Sequence, residues 1–227
     1  MLLTNTTTKI MIKFLLYPYE KLMPVYTLFP EPVYFSKLKR ALTKKELKTI
    51  DAYKAKTHKM DSIEGNTLSN DNYILENKTL KNLKKDLHTK VMDYFSEVVC
   101  TDNSIIPYIT QSWISYTETN QFHHRHFHPN SYVSGVFYIA ADKEVDKITF
   151  YKRIHPQIML SQTKYNIFNA KSWWYPVNTG DIILFPSSLE HGVDKKKGTN
   201  TRISLSFNVF IKGKIGENAT LTELTFK

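Results

Sequence analysis

From Thr201 to Ile211 the sequence alternates without interruption. Thr201, Ile203, Leu205, Phe207, Val209 and Ile211 fall on one side of an extended chain, and Arg202, Ser204, Ser206 and Asn208 fall on the other. Successive side chains of a strand point to opposite faces, so this is a strand with one almost wholly apolar face. That face needs a second layer to cover it. The polar face is left either to water or to the inside of a ligand-holding barrel, and the alternation by itself leaves both open.

Other β-rich runs precede it at Ile109–Tyr116, Tyr132–Ile139, Lys147–Tyr151 and Gly180–Phe185, separated by turn residues. Helical patterns come earlier. Thr43 with Glu46 three residues on forms a capping box, Leu42 and Leu47 can staple across it, and Leu47, Ile50 and Tyr53 supply an apolar side. Leu80, Leu83, Leu87, Val91, Tyr94 and Val98 write a second helix, with Lys81, Lys84, Lys85 and Lys90 off that stripe as a solvated face. Residues 57–72 lack periodicity and read as a loop able to cover a site. Helices ahead of an antiparallel β-rich half predict a closed or double-sheet β architecture rather than a parallel βαβ fold.

A chain of 227 residues with 41% apolar content can bury one full core, which predicts a single domain over residues 23–227. Val25–Phe29 is the first strand signal, and residues 1–22 read as an N-terminal extension with no function assigned. The apolar run Phe14–Tyr17 is cut by Pro18 and followed by Glu20 and Lys21, too short for a signal or a membrane span. The lone cysteine, Cys100, cannot form an intrachain disulfide, which fits a reducing, cytoplasmic setting. A net charge of +10 favours anionic partners without naming one.

Four of the eight histidines fall in His123-His124-Arg125-His126-Phe127-His128. On a regular extended segment His124, His126 and His128 share a face and can converge on a metal ion; a cluster of exposed histidines is the other reading. Pro129-Asn130-Ser131 then marks a turn. Farther along stand Gly180-Asp181-Ile182-Ile183-Leu184-Phe185-Pro186-Ser187-Ser188-Leu189-Glu190-His191 and, eleven residues past His191, Arg202-Ile203-Ser204.

Taken in order, HxHPNS with SGVFYI, GDIILFPSSLxH, and RxSxSFN resemble the 2-oxoglutarate and Fe(II) dependent oxygenase superfamily, and in particular its branch common in marine bacteriophages. Trp113, thirteen residues before His126, and the Leu28–Tyr34 opening are similar to that branch too, so the likeness covers about residues 25–225. The resemblance implies a mainly β fold: a double-stranded β-helix of jelly-roll or cupin-like type with flanking N-terminal helices. It implies Fe(II), 2-oxoglutarate as cosubstrate, and O₂. His126, His128 and His191 match the catalytic metal ligands, with His-x-His where the superfamily usually writes His-x-Asp or His-x-Glu. Arg202 matches the residue that takes the far carboxylate of 2-oxoglutarate, since guanidinium offers a fixed fork that is always charged. Ser204 stands beside it, and Tyr138 and Asn208 share the inward direction as further cosubstrate contacts.

His124 and His123 read as supporting or surface groups, and His58, His88 and His155 as structural. Trp173-Trp174-Tyr175 offers a substrate wall, with at least one ring expected in the core. Asp194–Lys197 and Lys143–Asp146 read as charged turns. Two other functions stay open: a non-catalytic cupin-like metal protein, because His-x-His suits other metals, and a basic nucleic-acid-binding module. Only a dicarboxylate cosubstrate requires Arg202. The substrate is open among small molecule, protein and nucleic acid, no membrane is implied, and the oligomeric state is open.

Overall fold

Thr43 starts the first helix in the way its sequence dictates. In the computed structural model, which describes residues 25–60, 64–153, 158 and 160–226, the Glu46 N–H donates to the Thr43 hydroxyl at 3.2 Å. The Thr43 N–H donates back to the Glu46 carboxylate at 2.8 Å, closing the capping box of α1, Lys44–Tyr53. Arg40 adds two bonds to the same carboxylate, and this guanidinium pulls the Glu46 pKa down to about 2. The second helix, α2, runs Lys81–Tyr94 and buries Leu83, Leu87, Val91 and Tyr94, the stripe expected from spacing. It widens into a π turn at Phe95–Val99 and ends at Cys100, whose φ of 55° stops the helix.

The strands form two antiparallel sheets. The larger contains β1 (Tyr34–Lys37), β2 (Thr57–Lys59), β3 (Thr67–Ser69), β4 (Ile106–Thr117), β6 (Val133–Ala140), β9 (Asp181–Pro186) and β11 (Arg202–Ile215), in the order β1-β9-β6-β11-β4-β3-β2. A short β12 (Leu224–Phe226) pairs with the end of β11. The smaller sheet has the order β5-β10-β7-β8, from His123–His126, Glu190–Val193, Lys147–Tyr151 and Ser172–Pro176.

Two apolar cores separate the layers, and they settle where β11 points. Leu205, Phe207, Val209 and Ile211 join Leu83, Leu87 and Val91 in the core under the helices. Val136, Tyr138, Ile183 and Phe185 of the large sheet join Ile148 and Phe150 of the small one in a second core. The opposite face of β11 therefore looks between the sheets. Arg202 and Ser204 are each only 3% exposed, so the polar face is a cavity wall rather than a wetted surface. Gly135 is required on β6, because a Cβ there would run into the ring of Phe207, its cross-strand partner.

Several expectations are corrected by these layers. Val25–Phe29 forms no strand: Phe29 has a φ of 56°, and Pro30 and Pro32 lack the N–H that pairing needs. Residues 57–72, expected as a loop, contain β2 and β3, which extend the large sheet beside β4. None of Trp173, Trp174 and Tyr175 is buried, because β8 is the outer strand of the small sheet. Every strand and helix above lies in one compact unit that begins at Pro32. The extension assigned to residues 1–22 lies outside the described residues. Among the described residues no helix is long and apolar enough to cross a membrane.

Candidate metal and cosubstrate site

One extra residue in β5 decides which histidines face the cavity. His191 of β10 pairs with His126, but Val193, two residues on, pairs with His123, three residues back. This β-bulge turns His123 and His126 to the same side. His123 therefore lines the cavity together with His126, His128 and His191, whereas His124, which regular alternation places on the ligand face, is not among the lining residues. His123 is the residue that sequence reasoning set aside; a bulge leaves no local mark, and only the pairing with β10 exposes it.

His126, His128 and His191 bring three ring nitrogens within 4.8 Å of one another. Backbone contacts set their tautomers. His126 Nδ1 lies 2.8 Å from the His124 carbonyl and His191 Nδ1 lies 3.0 Å from the Leu189 carbonyl, so each donates from Nδ1 and keeps its Nε2 lone pair for the centre. His128 Nε2 stands 3.3 Å from His191 Nε2, and Trp113 stacks on the His128 ring at 5.6 Å. Aimed lone pairs on neutral rings are what a divalent transition ion requires. The residues fit the metal that the resemblance implies.

Burial also keeps these rings neutral. It pushes the His191 pKa down to about 3 and that of His128 to about 4, and lowers that of His126, with neighbouring imidazolium charge adding to the effect. The sign follows from linkage. Below pH 6.5 an unfolded chain takes up protons that the folded protein refuses, so this contribution to stability is complete above 6.5 and drains away as pH falls toward the folded values. Metal-free protein should thus lose stability between pH 6.5 and 5, by up to ~1.4 kcal/mol per pH unit for each resisting histidine. Urea midpoints across that window check it, and His191→Ala should flatten the slope; an unchanged slope in that variant would refute the assignment.

The other end of the cavity belongs to Arg202. Its Nη1 donates to the Lys147 carbonyl at 3.2 Å and its Nη2 to the Thr117 hydroxyl at 3.4 Å, while the buried Nε has no partner. Ser204 and Tyr138 are cross-strand partners in β11 and β6, and both line the cavity. Burial raises the Tyr138 pKa, so its phenol remains a neutral donor. Asn208 does not line the cavity. It lies opposite Ser134 of β6, and its side-chain oxygen accepts from the Ser134 hydroxyl at 3.4 Å. Ser134 belongs to a hydroxyl chain with Ser187 and Ser131.

The cavity lining contains Arg202 and histidines but no aspartate or glutamate. The nearest carboxylate in sequence, Glu190, points to the other side of β10, where Arg125 and Arg153 hold it. Its position excludes it as the carboxylate ligand that the superfamily usually supplies from a different place. A wall of neutral imidazoles and one buried cation suits a dianion that bridges the two ends.

Comparison with known proteins agrees with this geometry. Residues 111–208 match the family model described as "Putative 2OG-Fe(II) oxygenase". No curated protein matches the chain by sequence. Among solved structures, an oxidoreductase of the 2OG-Fe(II) oxygenase family from Burkholderia pseudomallei is 16% identical with a TM-score of 0.51, over 78% of this chain and 83% of that one. The non-heme α-ketoglutarate dependent epimerase SnoN from nogalamycin biosynthesis is 10% identical with a TM-score of 0.56, over 79% and 78%. HygX from Streptomyces hygroscopicus, solved with nickel, 2-oxoglutarate and hygromycin B, is 12% identical with a TM-score of 0.50, over 77% and 82%. At such identities these likenesses carry the fold, a double-stranded β-helix. The family match spans the cavity wall from Trp113 to Phe207, and over that span the chain is similar to the 2OG-Fe(II) oxygenases.

Proposed function

We propose that His126, His128 and His191 hold the Fe(II) of this oxygenase and that Arg202, with Ser204 and Tyr138 beside it, holds the far carboxylate of 2-oxoglutarate. The observation that carries this reading is the buried Arg202, its Nε unpartnered, on the cavity wall that also holds three neutral, convergent histidines. A buried guanidinium with no anion is penalised by several kcal/mol of desolvation, and a bound carboxylate removes that penalty. When bound, Fe(II) with 2-oxoglutarate and O₂ supplies oxidative decarboxylation to succinate and CO₂ and, with it, an oxidising equivalent for hydroxylation or another oxidation of the substrate. The chain's own part is to position. Arg202 orients the dicarboxylate, Tyr138 and Ser204 offer hydroxyl donors, and Val136, Ile148 and Phe185 line the same cavity with apolar surface. Because none of the three ligands carries charge, the cosubstrate brings the anionic ligand that neutralises the ion.

Arg202 also separates this reading from a cupin-like binding protein, which needs the histidines alone. A nucleic-acid module has only the net charge in its favour. The site we propose faces substrate along the His126–His128 segment, where exposed Phe127 lies under Arg153. The single, exposed, unbridged Cys100 supports a reducing cytoplasmic location.

Anaerobic addition of Fe(II) and 2-oxoglutarate should give a visible charge-transfer band, which chelation of the keto acid to the metal produces. Well-folded, metal-loaded protein without that band would sink the assignment.

A further inference from the structure

The three convergent histidines are not anchored alike. His126 lies in β5 and His191 in β10, and each ring is fixed by the contact of its Nδ1 with a backbone carbonyl. His128 stands past the end of β5, outside any strand, where its backbone N–H donates to the Ser187 carbonyl at 3.0 Å. Among the described residues no carbonyl or carboxylate meets its Nδ1, and the polar contact of the ring is Nε2 to His191 Nε2 at 3.3 Å. A metal-ligating imidazole normally has its second nitrogen tied to a partner that fixes the tilt of the ring. His128 lacks that tie.

An aromatic face takes its place. Trp113 stacks on the His128 ring with centroids 5.6 Å and planes 26° apart, an offset arrangement that aromatic pairs favour. The His128 ring also lies parallel to that of His191 to within 9°, with centroids 5.1 Å apart. Trp113 itself is fixed within β4, opposite Ser206 of β11, and its neighbour Ser112 accepts from the Leu75 N–H at 2.9 Å. The indole lines the cavity together with the three histidines. A paired strand of the large sheet thus gives a flat wall to the one ligand that stands outside a strand.

We propose that Trp113 is the positioning residue for the third metal ligand: its indole face restricts rotation of the His128 ring and keeps the Nε2 lone pair on the centre shared with His126 and His191. The inference rests on the reading of those three histidines as the metal ligands, and it accounts for an imidazole where the superfamily usually writes a carboxylate. A carboxylate presents two equivalent oxygens and tolerates rotation. An imidazole nitrogen offers one lone pair in the plane of its ring, so a ring turned about its Cβ–Cγ bond loses the ion. A flat partner meets that need and an aliphatic one does not.

The test is calorimetric titration of metal-free protein with Ni(II), an ion that suits imidazole and is stable in air. Trp113→Leu and Trp113→Met should each lower Ni(II) affinity about 10- to 100-fold, the range for a group that orients a ligand, and Trp113→Phe should stay within about 3-fold of wild type. Methionine fills an irregular gap without a ring, so it keeps the test open where leucine costs too much stability. A side chain that only packs weakens binding whatever residue stands at position 128. In His128→Asp protein, by contrast, both changes should alter Ni(II) affinity by less than about 3-fold, because the ring that Trp113 positions is gone. Unchanged affinity in the Leu and Met variants overturns the inference. So does a loss that Trp113→Phe shares, or one of equal size in the His128→Asp background. His128→Asp protein that holds no Ni(II) removes His128 from the ligand set and this inference with it, whereas wild-type protein that binds no Ni(II) overturns the reading of all three histidines.

Discussion

Replacing His191 with alanine is expected to abolish metal retention. His191 is 6% exposed, its Nδ1 is fixed by the Leu189 carbonyl, and its Nε2 is the shared neighbour of His126 and His128. Removing it leaves two ligands on one strand end, too few to hold the ion against water. Arg202→Ala is the contrast: the metal should stay, and 2-oxoglutarate should weaken by about 2 to 5 kcal/mol, the range for truncating one partner of a buried charge pair. Equal metal loss in both variants would undo the division of roles. His128 is the sharper case, because the superfamily usually places a carboxylate there. As a ligand, His128→Ala should lower affinity beyond the ~10- to 100-fold typical of a group that only supports a ligand, whereas His128→Asp should retain metal. A second histidine trio, His123, His124 and His126, lies beside the first. Full retention in His128→Ala, measured by metal content after dialysis, would move the ion toward that trio and reject His128.

Much of this fold is legible because local rules and tertiary packing agree. The Thr43–Glu46 box, the Leu83–Val91 stripe and the alternation in β11 are each repeated in the structure with their boundaries shifted by a few residues. The residues that identity singles out, His126, His128, His191 and Arg202, are brought together on one cavity wall. The site was illegible where strand pairing decides it. The β5 bulge exchanges His124 for His123, and a one-residue shift reverses every face without changing composition. Alternation carries Asn208 inward, opposite Ser134 of the cavity wall, but its side-chain oxygen accepts from that hydroxyl and Asn208 is not itself a lining residue, a partnership no sequence pattern shows. Trp173 and Trp174 were read by their apolarity, but exposure depends on β8 having a neighbour on one side only. The charged turns at Lys143–Asp146 and Asp194–Lys197 hide the largest discrepancy, since charge is normally solvated and two of these residues are not.

Asp146→Ala should be the most destabilising single change away from the metal. Asp146 and Lys196 are 3% and 4% exposed, with Lys196 Nζ 3.7 Å from Asp146 Oδ1. The ammonium donates to the Gly198 carbonyl at 2.9 Å and to Asn200 Oδ1 at 2.6 Å, while Asn200 Nδ2 and the Asp142 N–H both donate to Asp146 Oδ2. This network ties the turn before β7 to the turn before β11. Truncating the carboxylate leaves a buried cation with neutral partners only, which typically costs about 3 to 5 kcal/mol, against a total stability of roughly 5 to 15 kcal/mol for a domain. The urea midpoint should therefore fall steeply with little change in slope. Replacing both charges, as in Asp146→Leu with Lys196→Met, should recover most of the loss, because an apolar pair carries no desolvation penalty. The effect should also reach the cavity. The residue after Asp146 is Lys147, whose carbonyl holds Arg202 Nη1, and the Asp146 charge is among those opposing the burial that lowers the Arg202 pKa. Cosubstrate affinity should then fall in the single variant and recover in the double one in step with stability. A single variant within about 1 kcal/mol of wild type, the ceiling for an exposed pair, would show that the pair is solvated and remove Asp146 from the support of Arg202.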